Sequence, residues 1–369
     1  MPHSTQYCLC LFSASKDQRR YFDRLSHQLS QELNVTSWWY KDLPKAVSVP
    51  IANADELAAP IVAQWLRRKQ STRFGRSKPG WWWQLVALWQ GWQAVRLLRK
   101  YTGLISNSDC SHVGVWNGKK FRQALFVIAA KQLGKSVLFF ETGPLPGYSM
   151  VDSQGVNACS SIPKSADFYQ AWAQQHSLMA QAAPAQTMQQ VFIPFQVVED
   201  SNIYLHSPWI QDMHHFFNEV KALARSYPTI QFVFKQHPKC SEKYDDLMAI
   251  CLPNMRFENT LPSTKLIAES QAVITINSTV GMEALLQYKP LLVLGEALYD
   301  FAPLTLPVRD SVAFHSAFAQ VIDGWRAPSL LTKAFVHYLE TEYAVPGDAM
   351  KLADESHFDA MTRKVLSLI

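Results

Sequence analysis

The sequence predicts an α/β protein with two Rossmann-like domains, and three observations support this prediction. Short apolar runs alternate along the chain with segments of helical periodicity, which is the pattern of parallel sheets with crossover helices. The alternation stops in an Ala/Gln-rich connector at 165–190 and then starts again. The length of 369 residues exceeds that of one ordinary core and suits two domains.

The first half of the chain supplies the first series of strands and helices. Strands are predicted for the apolar runs at 7–12, 35–40, 112–116 and 136–140. Helices are predicted at 15–33, where Ser15 suits the N-cap, and at 121–132, which Gly134 ends. This order predicts a parallel sheet covered by helices.

The second half repeats the pattern. Strands are predicted at 190–195, 230–234, 272–276 and 290–294, and helices at 209–227, 242–249 and 281–287, with a mostly helical tail from Phe314. We therefore predict an N-terminal domain at 1–185 with an insertion at 57–108, a second domain at 186–345, and a C-terminal helix at 346–369 that crosses back to the first domain. Two Rossmann-like domains facing a central cleft form the GT-B architecture of many nucleotide-sugar glycosyltransferases, an analogy that fixes no reaction.

The composition is that of a globular protein, with 48% hydrophobic and 18% charged residues. The six cysteines are scattered without zinc-ligand spacing or a disulfide framework. We see neither a signal peptide nor an uncharged apolar stretch of spanning length. These features predict a cytoplasmic protein.

The insertion combines basic and aromatic residues. It contains no acidic residue between Glu56 and Asp109, although the net charge of the whole chain is only +5. Lys, Arg and Trp together suit an anionic membrane surface, and we predict membrane or lipid contact at Trp81, Trp82, Trp83, Arg73, Arg76 and Lys78. One alternative is a helix at about 83–100 that packs its Trp and Leu face inward. Nucleic acid is a weaker alternative, because no nucleic-acid-binding motif accompanies the patch.

Two carboxylates flank a segment rich in Gly and Pro that follows the strand at 136–140. Glu141 and Asp152 are expected on one loop at the carboxyl end of that strand, where open α/β sheets bind ligands. A pair of carboxylates is what glycosyl chemistry uses, one as acid/base and one as nucleophile or charge stabiliser. The alternative is a surface loop with two solvated acids.

Two strand ends in the second half predict a phosphate pocket. His237, with Lys239 nearby, follows the strand at 230–234, and Asn277, Ser278 and Thr279 lead from the next predicted strand into a helix. Imidazole, ammonium and helix N-terminal N–H groups all suit phosphate. Glu283 could accept hydrogen bonds from a ribose. The alternative is plain helix capping.

Several nucleotide-binding motifs are missing from the sequence. We find no P-loop, no GxGxxG after the first strand and no DxD motif. Without DxD a metal-held diphosphate is disfavoured, whereas a nucleoside monophosphate leaving group, as in CMP-sugars, needs less charge neutralisation. We therefore expect neither a metal nor a cofactor.

As an ordered set, the motifs resemble the bacterial capsule polysaccharide biosynthesis family. The resemblance covers roughly residues 112–299 and rests on Trp116-Asn-Gly118, Phe140–Gly147, Val151–Asn157, Ser160–Pro163, Gln196 with Asp200 and Ser201, His237-Pro-Lys239, and Thr275–Leu285. The family includes retaining β-Kdo glycosyltransferases that use CMP-Kdo, some of which act on lysophosphatidylglycerol in the inner leaflet. Bacterial CMP-sialic acid transferases are also similar, but here Glu141-Thr-Gly143 lacks their second acid.

The resemblance implies a role for each motif. Asp152 would be the nucleophile and Glu141 the general acid/base, although these roles could be exchanged. The expected donor-binding residues are His237, Lys239, Asn277, Ser278, Thr279, Glu283, Gln196, Asp200 and Ser201. Asn117 and Asn157 are expected on the acceptor side.

The implied partners are a CMP-sugar donor, a lipid or glycolipid acceptor such as lysophosphatidylglycerol, the inner-membrane surface and other capsule biosynthesis proteins. The predicted protein is therefore a metal-independent, retaining β-Kdo transferase, peripheral on the inner membrane. The alternatives are another CMP-sugar transferase of the sialic acid type and a non-catalytic, glycan-binding capsule assembly subunit.

Overall fold

The computed structural model describes residues 7–45, 48–181, 188–240, 242–351 and 354–369, with Arg73 described by its backbone alone. Within these residues the strands, numbered along the chain, are β1 (Cys8–Ser13), β2 (Asn34–Trp39), β3 (His112–Trp116), β4 (Ser136–Thr142), β5 (Tyr148–Asp152), β6 (Gln190–Pro194), β7 (Gln231–Lys235), β8 (Met255–Phe257), β9 (Ala272–Thr275), β10 (Leu291–Val293), β11 (Leu306–Pro307) and β12 (Val345–Pro346).

The α-helices of the described residues are α1 (Lys16–Leu29), α2 (Ala54–Gln70), α3 (Arg73–Arg76), α4 (Gly80–Ser106), α5 (Phe121–Gln132), α6 (Ala166–Gln175), α7 (Ser201–His206), α8 (Met213–Ser226), α9 (Asp245–Ala249), α10 (Ser263–Glu269), α11 (Val280–Leu286), α12 (Ser311–Ile322), α13 (Ser329–Tyr338) and α14 (Glu355–Leu366). Short 3-10 turns occur at Asn157–Cys159 and Ala349–Lys351, and a π-helical turn at Leu339–Tyr343.

The chain divides into two compact units. Unit 1 comprises the described residues of Met1–Gln70, Phe74–Ser161 and Tyr343–Ile369, and unit 2 those of Ser71–Arg73 and Ile162–Glu342. The sequence placed its divisions after residues 185 and 345. In the structure α6 belongs to unit 2, because it packs on α13, with the rings of Tyr169 and Phe335 5.3 Å apart.

Unit 1 is built on a sheet with the strand order β2-β1-β3-β4-β5-β12. β1 pairs in parallel with β2 and β3, and β3 pairs in parallel with β4. β5 then runs antiparallel to both β4 and β12. The order of the parallel strands therefore reverses between β1 and β3, which is where doubly wound sheets bind ligands at their carboxyl ends.

Local sequence signals explain how the elements of unit 1 begin. β1 and β3 are apolar runs with almost every residue buried, as expected for strands covered on both faces. α1 starts where the Ser15 hydroxyl accepts a hydrogen bond from the Gln18 N–H at 3.3 Å. Its apolar stripe includes Phe22 and Leu25, both fully buried in the core of the unit. α14 packs in this same core through Met361.

Unit 2 is built on a fully parallel sheet with the strand order β8-β7-β6-β9-β10-β11. In order of sequence this is 3-2-1-4-5-6, the doubly wound order of dinucleotide-binding sheets. The reversal lies between β6 and β9. The core on one side of this sheet includes Phe216, Phe217 and Phe234, each fully buried.

The predicted α/β class with two Rossmann-like series of elements is confirmed. The main predicted strands and helices are present, with ends that differ by a few residues. The sequence missed β5, which was predicted as part of a loop, and the short strands β8, β11 and β12, because two or three residues carry too little periodicity to detect. Within the described residues, no helix is both long enough and apolar enough to span a bilayer.

Candidate functional site

The segment with the two carboxylates is a β-hairpin, and the predicted single loop is wrong. Glu141 lies within β4 and Asp152 ends β5, with Glu141 opposite Met150 and Phe139 opposite Asp152. Ser149–Asp152 pair with Phe139–Thr142 of β4, so the loop is limited to the turn between the two strands. This register puts Glu141 and Asp152 on the same face as diagonal neighbours, a relation that brings Cα atoms to about 7–8 Å.

Glu141 is half-buried and held by donors from the adjoining strand end. Its Oε1 accepts from Trp116 Nε1 at 3.1 Å and from the N–H and hydroxyl of Thr142 at 3.0 and 3.2 Å. Its Oε2 accepts from Asn117 Nδ2 at 2.5 Å. Since a carboxylate oxygen has two lone pairs, Oε2 is the oxygen better able to receive a further donor.

Asp152 is in a different situation. Its side chain is 1% exposed. Oδ1 accepts from the N–H groups of Gln154 and Gly155, at 2.6 and 3.1 Å. Oδ2 accepts from the N–H and hydroxyl of Ser161 at 2.7 and 2.9 Å, and from the Tyr343 hydroxyl at 2.8 Å. Asp152 thus fixes the segment that follows β5 and binds the residue that leads into the C-terminal part of unit 1.

The two predicted acceptor-side residues both have left-handed backbone. Asn117 has φ +64° and Asn157 φ +56°, a region where asparagine is among the better tolerated non-glycine residues. At Asn117 the conformation turns the chain at the end of β3 and lets its side-chain amide reach Glu141. Gly118 follows with φ +76°, and a Cβ there would lie 2.6 Å from the Phe139 ring. This turn is therefore specified by its residues.

Three predicted donor-binding residues form one buried network at the reversal of the unit 2 sheet. Gln196 follows β6 and Asn277 follows β9. Gln196 Nε2 donates to Asn277 Oδ1 at 3.0 Å and to Asp200 Oδ2 at 2.9 Å. Asn277 Nδ2 donates in turn to the carbonyls of Asn202 and His206, at 3.0 and 3.1 Å. The network ties the start of α7 to both strand ends.

Asp200 and Ser201 also begin a helix. Asp200 is the N-cap of α7, and its Oδ1 accepts from the Asn202 N–H at 2.9 Å. Ser201 is the first helical residue and is half-buried. Asp200 therefore caps α7 and also belongs to the network.

His237 lies beyond the end of β7, the neighbour of β6 on the other side. Its Nδ1 accepts from the Lys239 N–H at 3.1 Å, so the neutral ring carries its proton on Nε2. Burial lowers the pKa of His237, as does the Lys239 charge, while Asp200 opposes them. His237 is therefore a neutral N–H donor near pH 7. Lys239 is exposed beside it.

The segment between β9 and α11 in unit 2 is closely packed. Ser278 Oγ accepts from the Val280 N–H at 3.2 Å, while Thr279, the N-cap residue of α11, is exposed and its side chain makes no capping hydrogen bond. The Tyr299 hydroxyl donates to the Ser278 carbonyl, and a Cβ on Gly281 would lie 2.4 Å from that ring. Glu283 is half-buried, and burial raises the pKa of its carboxyl group.

The residues predicted to touch a membrane separate in the structure. Trp81 is 62% exposed, whereas Trp83 is 9% exposed and its Nε1 donates to the Gly75 carbonyl at 3.2 Å. Trp82 is half-buried against Trp83, with ring centroids 4.7 Å apart. Arg76 is exposed, and Lys78 lies over the Phe74 ring at 4.4 Å. The side chain of Arg73 lies outside the described residues.

The structure adds three residues that were not among the predicted site residues, although two of them lie in the motifs that carry the resemblance. Trp116, Ser161 and Tyr343 donate to the two carboxylates. Tyr343 is 191 residues from Asp152, and no local pattern could connect the two. Among the described residues, no group of three or more His, Cys, Asp or Glu side chains is arranged to hold a metal ion.

One protein-family model matches part of the chain. The family model described as "Capsule polysaccharide biosynthesis protein" matches residues 169–317. That range contains every predicted donor-binding residue of unit 2 and ends before the C-terminal part of unit 1.

Two curated relatives match in sequence. Protein FixF of Sinorhizobium fredii is 32% identical over 247 residues, which cover 64% of this chain and 60% of FixF. The capsule polysaccharide export protein KpsS of Escherichia coli is 36% identical over 120 residues, covering 30% of this chain and 31% of KpsS. The matches thus span less than two thirds of either relative.

A solved structure matches across almost the whole chain. The β-Kdo 2,7 transferase of Thermosulfurimonas dismutans KpsC superposes with a TM-score of 0.50 at 14% identity, covering 98% of this chain and 99% of that one. This likeness concerns the fold, and it agrees with the GT-B class predicted from the two series of strands. The segment 169–317, which contains the strand-end residues at the reversal of the unit 2 sheet, is therefore similar to the capsule polysaccharide biosynthesis family.

Proposed function

We propose that the protein is a glycosyltransferase of capsule polysaccharide biosynthesis that transfers Kdo from CMP-Kdo, with retention, to a lipid or glycolipid acceptor. The observation that carries the proposal is the cluster of polar residues at the reversal of the unit 2 sheet. Gln196 follows β6, Asn277 follows β9 and His237 follows β7, three adjacent strands in the segment that matches the family model. Ligands of doubly wound sheets bind at this position.

The donor-binding role is assigned to unit 2. The CMP phosphate would accept from His237 Nε2–H and lie near the Lys239 ammonium, with Ser278 and Thr279 supplying hydroxyl donors at the neighbouring strand end. The buried Gln196 and Asn277 position these loops. Glu283, a half-buried residue of α11, would accept hydrogen bonds from a ribose hydroxyl.

The chemical role is assigned to the carboxylates of unit 1. Glu141 is half-buried with one lightly occupied oxygen, and we place it at the reacting atoms as the general acid/base. Asp152 is retained as the nucleophile, the role that the resemblance implies. Attack by Asp152 needs an open oxygen, so one or more of its five donors must release it during turnover.

The proposed reaction takes place in two displacements. A carboxylate oxygen forms a bond to the anomeric carbon of Kdo as the bond to the phosphate oxygen breaks, and CMP leaves with the electron pair. The acceptor hydroxyl, losing its proton to the general base, then attacks the same carbon and displaces the carboxylate. Each displacement inverts the carbon, so the product retains the configuration of the donor. No divalent metal is required.

The acceptor is proposed to be membrane-bound. A lysophosphatidylglycerol or a glycolipid at the inner face of the inner membrane fits the basic, Trp-rich insertion of unit 1, and other capsule biosynthesis proteins would work on the same product. The basis is the charge of residues 57–108, which include no acid.

A CMP-release assay tests the proposal. CMP-Kdo is generated in situ and offered to wild type, Glu141→Gln and Asp152→Asn, with and without lysophosphatidylglycerol. We expect acceptor-dependent release by wild type that is lost in both variants and unaffected by EDTA. Glu32→Gln, the same substitution at an exposed acid of unit 1, is the matched control and should behave as wild type.

Other outcomes would change the proposed donor, mechanism or residue roles, or would contradict the proposed function. Release from CMP-sialic acid but not from CMP-Kdo would identify a transferase of the other donor class. A need for Mg²⁺ after EDTA treatment would contradict the metal-independent mechanism. Tandem mass spectrometry of acid-quenched enzyme should find the Kdo adduct on Asp152, and an adduct on Glu141 would exchange the two roles. Folded enzyme that binds no CMP and releases none would favour a glycan-binding subunit.

A further inference from the structure

α4 has two apolar faces, and only one of them is buried in unit 1. The buried face includes Trp83, Ala94, Leu98 and Tyr101. The opposite face carries five large apolar side chains that are each more than half exposed: Trp81 at 62%, Leu85 at 58%, Leu88 at 73%, Trp89 at 58% and Trp92 at 59%. We call these five residues the α4 stripe.

The α4 stripe follows helical geometry. Its members are spaced i, i+4, i+7, i+8 and i+11, which keeps them within about 100° around the helix axis and along about 16 Å of its length. Amphipathic helices normally direct such a stripe at a core. Here the core is already occupied by the other face, so the stripe is additional apolar surface. Contiguous exposed patches of this kind mark interaction sites.

The charge around the α4 stripe is of one sign. Arg96 and Arg99 continue the same helical face by one and two further turns, and both are exposed. Arg96 lies over the Trp92 ring at 5.5 Å. Before the helix, Lys78 lies 4.4 Å from the Phe74 ring centre, and Phe74 is itself 63% exposed. With no acidic residue between 57 and 108, nothing in this segment offsets the positive charge.

We propose that the α4 stripe is the membrane-docking surface of the protein, with α4 lying parallel to an anionic bilayer. The Trp and Leu side chains would enter the headgroup boundary while the basic residues at both ends contact lipid phosphates. This arrangement differs from the sequence prediction, because it depends on Leu85, Leu88, Trp89 and Trp92 and does not use the buried Trp83. The inference rests on the proposed function only for its membrane-bound acceptor.

Vesicle co-sedimentation with the full chain tests the docking surface. Wild type is compared with the triple variant Leu88→Ser, Trp89→Ser, Trp92→Ser on vesicles of phosphatidylcholine with and without phosphatidylglycerol. We expect binding to the anionic vesicles alone, weakened at least about tenfold in the triple variant through the lost apolar contact area. Arg96→Glu with Arg99→Glu should weaken binding most strongly at low salt.

Val312→Ser supplies the matched control, because Val312 is an 81% exposed apolar residue of unit 2, and it should bind as wild type. All the substituted side chains are exposed, so the melting temperatures should stay close to that of wild type. Equal binding by wild type and the triple variant would overturn the proposal. So would a wild-type dimer that the triple variant dissociates, since a second copy would then cover the stripe, or oligonucleotide binding that the same variant abolishes.

Failure of the docking surface can be distinguished from failure of the proposed function. Vesicle binding needs neither donor nor turnover, so it remains informative if no CMP is released. Conversely, a triple variant that still turns over a detergent-solubilised acceptor but has lost vesicle binding separates docking from catalysis.

Discussion

The strand-end regions of the two units are both built on reversals of doubly wound sheets, yet they offer opposite chemistry. In unit 1 the ends of β3, β4 and β5 present two carboxylates that side-chain and backbone donors hold in place. In unit 2 the ends of β6, β7 and β9 present an imidazole N–H, an ammonium and hydroxyl groups around a neutral amide network. One region suits proton transfer and attack on carbon, and the other suits an anion.

In both units the position of the strand ends in the sheet determines where polar residues lie together, whereas the types of these residues determine which chemistry they support. In both regions, residues that could contact a ligand differ in burial from the residues that hold the site in place. Asp152 and Gln196 are nearly inaccessible, at 1% and 3% exposure, whereas Glu141 and His237 are half-buried. Substitutions at Asp152 and Gln196 should therefore lower both stability and activity. Substitutions at Glu141 and His237 should lower activity alone.

The largest effect is expected for Glu141→Gln. Loss of a general acid/base typically lowers turnover by about 10²–10⁴-fold, while the amide retains the size of the side chain. We expect this loss of kcat with a melting temperature near that of wild type, measured by CMP release and thermal unfolding. A variant that unfolds at much lower temperature would instead make Glu141 a structural residue.

Asp152→Asn should lower both the turnover number and the stability of the protein. The amide NH₂ replaces an acceptor that faces Ser161 and Tyr343 donors, and loss of buried hydrogen bonds to a charged group costs about 2–4 kcal/mol. Denaturant unfolding of wild type and variant measures this difference. An inactive variant of unchanged stability would show that the five hydrogen bonds are not what Asp152 contributes.

His237→Ala should weaken donor binding by about 10–100-fold, the value of one hydrogen bond to a charged group. His237→Gln keeps an N–H donor and should recover part of the loss. Calorimetric titration with CMP compares the variants. Equal affinity of wild type and the Ala variant would remove His237 from the phosphate site.

Tyr343→Phe tests the contribution of a single hydrogen bond that holds Asp152 in place. It removes one of the five donors to Asp152 and should cost about 1–2 kcal/mol of unfolding free energy, with activity reduced less than in Asp152→Asn. Activity equal to that of Asp152→Asn would make the hydroxyl part of the catalytic machinery.

The smallest effect concerns pH. His357 is 1% exposed, its Nδ1 donates to the Pro346 carbonyl at 2.7 Å, and its Nε2 accepts from the Tyr21 hydroxyl at 2.9 Å. Burial, the largest cause, lowers the pKa of His357 below its usual 6.5. Below about pH 6.5 the unfolded chain binds a proton at His357 more readily than the folded protein does. The contribution of neutral His357 to the free energy of unfolding is therefore fully present above about pH 6.5 and is lost as the pH falls.

Melting temperatures between pH 8 and pH 5 measure this decline. His357→Gln should flatten the pH dependence, since the amide does not titrate. An equally steep decline in the variant would assign the acid sensitivity to other groups.

Local patterns in the sequence were enough to predict the main elements and much of the site's residue list. Helix caps such as Ser15, apolar periodicity, and the short polar runs after strands are local features, so the residues that set them are adjacent in the chain. For this reason His237, Asn277 and Glu141 could be recognised as strand-end residues before any strand was placed in a sheet.

The tertiary structure decided which strands pair and which surfaces are covered. The hairpin of β4 and β5, the Gln196–Asn277 network across 81 residues and the Tyr343–Asp152 hydrogen bond depend on contacts between distant segments. The same holds for α4, whose two apolar faces look alike in sequence. Only the packing of the unit buries Trp83 and leaves Trp89 exposed, because burial is a property of the neighbours that the fold supplies.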